Sequence, residues 1–207
     1  MRVSYSQFGE DLVILNHFSD LDNSTGRFID VGAYHPFKYS NTMLLSKLGW
    51  RGINIDCDQA KMRQFDSLRP GDENVCAAVA DASRDMIWIE YPSGLTNRLA
   101  DSGEKDLLSF CGETPSRITP VKAMTLSDII EHSAFRGRHF HYLNIDCEGQ
   151  DLSVLKGLNF SRYQPDLITV EAFAKAARPE LTDFLERVGY ELTDIVHVTL
   201  FFKKYTV

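Results

Sequence analysis

Short apolar runs along the chain alternate with stretches of helical spacing. Arg27-Phe28-Ile29-Asp30-Val31 is such a run and breaks at Gly32; Gly52-Ile53-Asn54-Ile55-Asp56 is the next. Between them, Asn41 to Leu48 places Met43, Leu44 and Leu48 on one helical face, with Gly49 to cap the end. Gln59 to Leu68 reads as a second helix, stopped by Arg69-Pro70-Gly71, and Val75 to Ala80 as a third strand. Before all of these, residues 9–18 carry Leu12, Val13, Leu15 and Phe18 at amphipathic spacing, and Asp22 to Gly26 is a turn cluster. Alternation of strand and helix implies right-handed crossovers and a mainly parallel sheet.

Met86 to Tyr91 reads as an extension of that sheet. Residues 92–120, rich in Gly, Ser and Pro, are the least regular part. They suit a lid or substrate loop and equally a plain surface excursion. The pattern resumes with a helix from Thr125 to Glu131, Thr125 being the N-cap, then a strand from Tyr142 to Ile145 ending at Asp146. A helix from Asp151 to Lys156 closes at Gly157, a strand from Leu167 to Val170 ends at Glu171, and a helix runs from Pro179 to Val188. Two last strands, Tyr190 to Thr193 and Thr199 to Lys203, are near enough to pair antiparallel. The expected architecture is a single α/β domain with a Rossmann-like, mainly parallel seven-stranded sheet and an antiparallel terminal strand pair.

Composition narrows the function. The chain of 207 residues is 43% hydrophobic and 25% charged, as a single folded domain should be. A formal net charge of −7 argues against binding nucleic acid. The first residues show no apolar stretch like a secretory signal, and no stretch approaches the length of a membrane span. The 4 cysteines form no C-x-x-C pair, so free thiols and a cytoplasmic location are expected.

Two strand ends carry the first chemical signal. At Gly32 the backbone can turn tightly beside a ligand, but Gly32-Ala33-Tyr34-His35-Pro36-Phe37 holds one glycine of the three in the dinucleotide fingerprint G-x-G-x-x-G. That disfavours a nicotinamide oxidoreductase, whose pyrophosphate needs more open amides. Asp56 follows Gly32 by 24 residues, close to the spacing of an acid that binds ribose hydroxyls. A third segment, Asn144-Ile145-Asp146-Cys147-Glu148-Gly149, sets two acids at the end of another strand, and Glu171 ends the strand after it.

Several segments in this order resemble the FkbM family of methyltransferases. They are Ser6-Gln7-Phe8-Gly9-Glu10-Asp11, Phe28 to Ala33, Ser40-Asn41-Thr42, Gly49 to Asp56, Ile145 to Asp151, and Val154-Leu155-Lys156-Gly157. The resemblance covers nearly the whole chain. It implies S-adenosylmethionine as methyl donor and a hydroxyl acceptor on a glycan or small molecule. It further implies that Asp30, Gly32 and Ala33 shape the donor pocket, that Asp56 holds the ribose, and that Asp81 lies near the adenine. Gln7, Asn41 and Thr42 would close the pocket. Tyr34-His35-Pro36 replaces a commoner Asn-containing turn, so the contact at Tyr34 departs from the family pattern.

Methyl transfer needs an acceptor oxygen about 3 Å from the methyl group and a group to take its proton. Asp146 is the leading candidate base, followed by Glu148, Glu171 and His35. Asp146 and Glu171 could instead hold Mg²⁺, although orienting substrate or capping backbone is the preferred reading. His139 and His141 have the H-x-H spacing of a metal pair, but at the start of a strand they read as structural. The competing reading of the chain is a non-catalytic nucleoside-binding or protein-interaction module.

Overall fold

The structure is a computed structural model and describes residues 3–101 and 112–205. Its centre is β1 (Arg27–Val31), flanked by β2 (Arg51–Asp56) and β8 (Tyr142–Ile145), both parallel to it. Nearly every residue of these three strands is buried, because helices cover both faces of a parallel sheet. That is why they read as mostly apolar runs, each broken by a buried polar residue, Asp30, Asn54 or Asn144. Beyond β2 lies β3 (Glu73–Cys76); beyond β8 come β9 (Leu167–Glu171) and the antiparallel strands β11 (Thr199–Lys204) and β10 (Tyr190–Val196). Among the described residues this sheet has the order β10-β11-β9-β8-β1-β2-β3.

The chain leaves β1 in one direction and returns to its other side with β8. The switch point therefore lies between β1 and β8, where open α/β sheets bind ligands. Register does the rest. Val31 is level with Ile55 and with Ile145, and Ile145 with Val170. The residues that follow, Gly32, Asp56, Asp146 and Glu171, emerge side by side at one edge.

One face of the sheet packs on α1 (Glu10–His17) and α2 (Met43–Lys47) through Ile14, Leu45, Phe28 and Trp50. The other packs on α4 (Leu126–His132), α5 (Asp151–Lys156) and α6 (Arg178–Arg187). Adjacent Phe201 and Phe202 belong to the two opposite cores, as strand alternation demands. Thr125 caps α4 by accepting the Asp128 amide at 3.0 Å. Between β2 and β3, α3 (Gln59–Leu68) starts from Asp58, whose carboxylate accepts the Ala60 amide at 2.8 Å.

Two sequence expectations change. The run Val75 to Ala80 is not one strand: β3 ends at Cys76, and β4 (Ala78–Val79) joins a second, four-stranded sheet of order β4-β7-β5-β6. Met86 to Tyr91, expected to extend the main sheet, forms β5 (Asp85–Glu90) in that second sheet. It is antiparallel to β6 (Arg98–Asp101) and β7 (Arg117–Met124). Residues 98–101 and 117–120 of the segment expected to be irregular are therefore strand, and residues 102–111 lie outside the described residues. Pro120 is tolerated within β7 because β4 pairs only with Ala123 and Met124, leaving that side open at Pro120. No helix among the described residues is long and apolar enough to cross a membrane. Cys57, Cys76 and Cys147 are free thiols, and Cys111 lies outside the described residues.

Candidate active site

A cavity of about 830 Å³ opens at the switch point. Its floor is the row of strand ends. Gly32 has φ +78°, and a Cβ there would stand 1.8 Å from the Asp146 carbonyl oxygen. The glycine is thus demanded by the close approach of β1 and β8, whatever the ligand. After it the backbone turns through Tyr34 (φ 54°), whose amide donates to Asp56 Oδ2 at 3.0 Å. The Asp58 amide donates to Asp56 Oδ1 at 2.8 Å. Pinned by two amides, Asp56 faces the cavity with lone pairs to spare and is 7% exposed. Burial raises its pKa, with Lys61 and the two amides pulling it down.

Asp30 sits one layer deeper. One oxygen accepts the Thr42 hydroxyl at 2.6 Å and the other the Asn144 amide at 2.8 Å. Burial raises its pKa against those bonds and the Arg69 charge. Arg69, only 3% exposed, lies between the Phe28 and Phe65 rings and binds Asp72 at 2.8 Å and Thr42 at 2.9 Å. Asn41 donates to Asn144 at 3.0 Å, completing a buried polar web under the cavity.

Three carboxylates converge at the ends of β8 and β9. Donor oxygens of Asp146, Glu148 and Glu171 all lie within 4.8 Å of one another. Glu148 (φ 48°) and Gly149 (φ 93°) form the turn after β8, held by Asp151, whose carboxylate accepts the amides of Cys147 at 2.9 Å and Gly149 at 3.1 Å. Burial, then the neighbouring charge of Glu171, pushes Asp146 well above the usual carboxylate range. The same causes, partly offset by Lys61, push Glu148 up to about 7. Asp151 rises to about 6, mainly through burial. Glu148 thus exchanges its proton near neutral pH, and the all-oxygen donor set of the three carboxylates is also one that suits a hard cation such as Mg²⁺.

Of the residues expected from sequence, Gln7, Asp30, Gly32, Ala33, Tyr34, Asn41, Asp56, Asp146, Glu148 and Glu171 line this cavity. Thr42 is fully buried behind it, holding Asp30. His35 and Asp81 do not line it. His35 Nδ1 accepts the amides of Phe37 at 3.1 Å and Lys38 at 3.0 Å, so it caps its own turn. Burial, then Lys38, lowers its pKa. Asp81 is exposed and ion-paired to Arg84, because the chain has already left the main sheet at β4. Sequence reading missed Glu10, Lys61, Trp88, the strip Leu95–Leu99, Phe173 and His197, which also line the cavity. Their only signal is long-range: Lys61 reaches across to the Gly94 carbonyl at 2.9 Å, and His197 stacks on Phe8 with centroids 3.8 Å apart.

The sequence profile described as Methyltransferase FkbM domain matches residues 30–192. The chain belongs to the FkbM methyltransferase family. Membership carries with it S-adenosylmethionine as methyl donor. No curated protein gives a significant match. Among solved structures, a precorrin-6y C5,15-methyltransferase from Geobacter metallireducens superposes with TM-score 0.50 at 11% identity, over 93% of this chain and 85% of that one. A TehB-like S-adenosylmethionine-dependent methyltransferase from Corynebacterium glutamicum gives TM-score 0.49 at 12% identity, over 96% and 88%. The first of these likenesses speaks to the FkbM fold alone.

The residues present fit that donor. The wall of the FkbM cavity carries the carboxylates of Glu10, Asp30, Asp56, Asp146, Glu148 and Glu171, which attract a sulfonium cation and would repel a pyrophosphate. Val79, Trp88 and Leu99 supply apolar surface in the same cavity, as a purine requires.

Proposed function

We propose that this single FkbM domain moves a methyl group from S-adenosylmethionine to a hydroxyl of a saccharide or small metabolite. The observation that carries the reading is the meeting, in one cavity, of Asp56, an acid suited to a diol, and the carboxylate trio Asp146, Glu148 and Glu171. When bound, the donor supplies an electrophilic methyl carbon. Asp56 accepts hydrogen bonds from the ribose hydroxyls on its outward lone pairs. Gln7 and Asn41, on the same wall, close around the donor. The strip Leu95–Leu99 and Phe173, which is 75% exposed, face the acceptor.

Asp146 takes the hydroxyl proton, with Glu171 and Glu148 sharing it afterwards. A carboxylate whose affinity for protons is raised by burial and a neighbouring charge is a far better base for an alkyl hydroxyl than an ordinary one. The three oxygens support a second reading, in which Asp146 and Glu171 hold Mg²⁺ and the ion lowers the hydroxyl pKa. Labelled methyl transfer to a panel of saccharide and small-metabolite hydroxyls, run with and without a chelator, tests both. Turnover that survives chelation supports the proton-sharing trio; turnover lost on chelation and restored by Mg²⁺ supports the metal. A protein that binds neither donor nor its demethylated product is the non-catalytic module instead.

A further inference from the structure

The opposite edge of the main sheet holds a cluster that methyl transfer does not use. His139 and His141 approach the start of β8 on one strand face, their rings edge-on at 4.8 Å. The structure adds a third group that sequence spacing could not: Asp166, just before β9. The Asp166 and Leu167 amides both donate to the His141 carbonyl at 3.0 Å, which pulls the two strand starts together. His139 Nε2 lies 2.9 Å from Asp166 Oδ2. One ligand atom from each of the three residues falls within 4.8 Å of the others.

We propose that His139, His141 and Asp166 bind a divalent transition-metal ion of the imidazole-preferring kind, with zinc as the reference case. Two nitrogens and one carboxylate oxygen suit that ion better than Mg²⁺, which selects oxygen. The ligands need only small shifts. About 2.0 Å to each donor from a central ion sets the donors roughly 3.3 Å apart, between the 2.9 Å already present and the 4.8 Å limit. Three protein ligands leave a position for water, and half-exposed His139 and Asp166 leave a path to it. The ion clips the start of β8 to the start of β9.

Binding has one specific cost. The Arg27 amide donates to His141 Nδ1 at 3.2 Å. A neutral imidazole holds a metal through one nitrogen and keeps its proton on the other, so the Arg27 amide must give up the ring. Water replaces it at this partly exposed edge. The Arg27 amide is therefore a reporter that no other site in the molecule shares.

The experiment is calorimetric titration of tag-free protein with ZnCl₂, alongside amide NMR. The expected result is one zinc per chain, a shifted Arg27 amide resonance, and affinity at least tenfold weaker in both His139→Ala and Asp166→Asn. Glu171→Gln, in the carboxylate trio, leaves that affinity within twofold. Both replaced side chains are half-exposed, and circular dichroism checks that the variants fold. Absence of zinc binding, unchanged affinity in either His139→Ala or Asp166→Asn, or zinc binding that weakens with Glu171→Gln overturns the proposal.

Discussion

Glu148→Gln should make this protein more stable at high pH while harming its activity. In the folded chain the Glu148 carboxyl titrates at about 7 against an ordinary 4.5, chiefly because of burial and then the charge of Glu171. At 1.36 kcal/mol per pH unit, holding that side chain ionised costs roughly 3 kcal/mol above pH 7. Because Glu148 is partly exposed and shares protons with its neighbours, about 2 kcal/mol is the expected gain from a neutral isostere. The sign follows from proton counts. Between pH 4.5 and about 7 the folded chain holds a proton that the unfolded chain has lost, so stability falls as pH rises through that window. Below it both states are protonated and the penalty is absent. Thermal unfolding at pH 8.5 should show a melting temperature raised by roughly 4–8 °C in the variant, shrinking to within error at pH 4.5. Equal or lower stability of the variant at pH 8.5 would refute the claim that like charges are compressed at the site. Such a gain, bought against function, is the familiar trade-off at active sites.

Three further outcomes follow from the geometry. Gly32→Ala should lower stability by at least ~3 kcal/mol, or prevent soluble expression, since its Cβ meets the Asp146 carbonyl at 1.8 Å on a backbone of φ +78°; a urea midpoint unchanged from wild type would count against it. Asp146→Asn should reduce turnover roughly 10²–10⁴-fold with donor affinity within threefold, and wild-type turnover should climb as pH rises towards about 7 while Glu148 loses its proton; steady-state kinetics across pH 5–9 checks both. His35→Ala should leave turnover within about threefold, because that ring caps a turn outside the cavity; a loss like that of Asp146→Asn would restore His35 as a base.

The central strands were legible because burial on both faces leaves a short, mostly apolar run, broken by one buried polar residue, that stops at a Gly or an acid. Phe28 to Gly32 and Leu143 to Asp146 show this plainly. Their alignment was not legible. That Gly32, Asp56, Asp146 and Glu171 end level with one another depends on register between strands more than a hundred residues apart in sequence. The second sheet was missed for a related reason. One of the two partners of β5, β7, is distant in sequence and contains Pro120, a poor advertisement for a strand. For His35 the residue type announces acid–base chemistry, whereas the turn decides where its lone pair goes. Asp81 was misplaced because the chain changes sheets one step before it. Lys61 and Glu10 carried no local signal, since they matter only through what the folded chain sets opposite them.

The account depends most directly on donor binding at Asp56, and calorimetric titration with S-adenosylhomocysteine measures it. Wild-type protein should bind one equivalent. Asp56→Ala, losing two charge-assisted hydrogen bonds, should bind roughly 100-fold more weakly. Asp81→Ala, changed on the exposed surface, should bind like wild type. If Asp56→Ala binds as tightly as wild type, or wild type does not bind at all, the cavity at the switch point is not where this family member holds its methyl source.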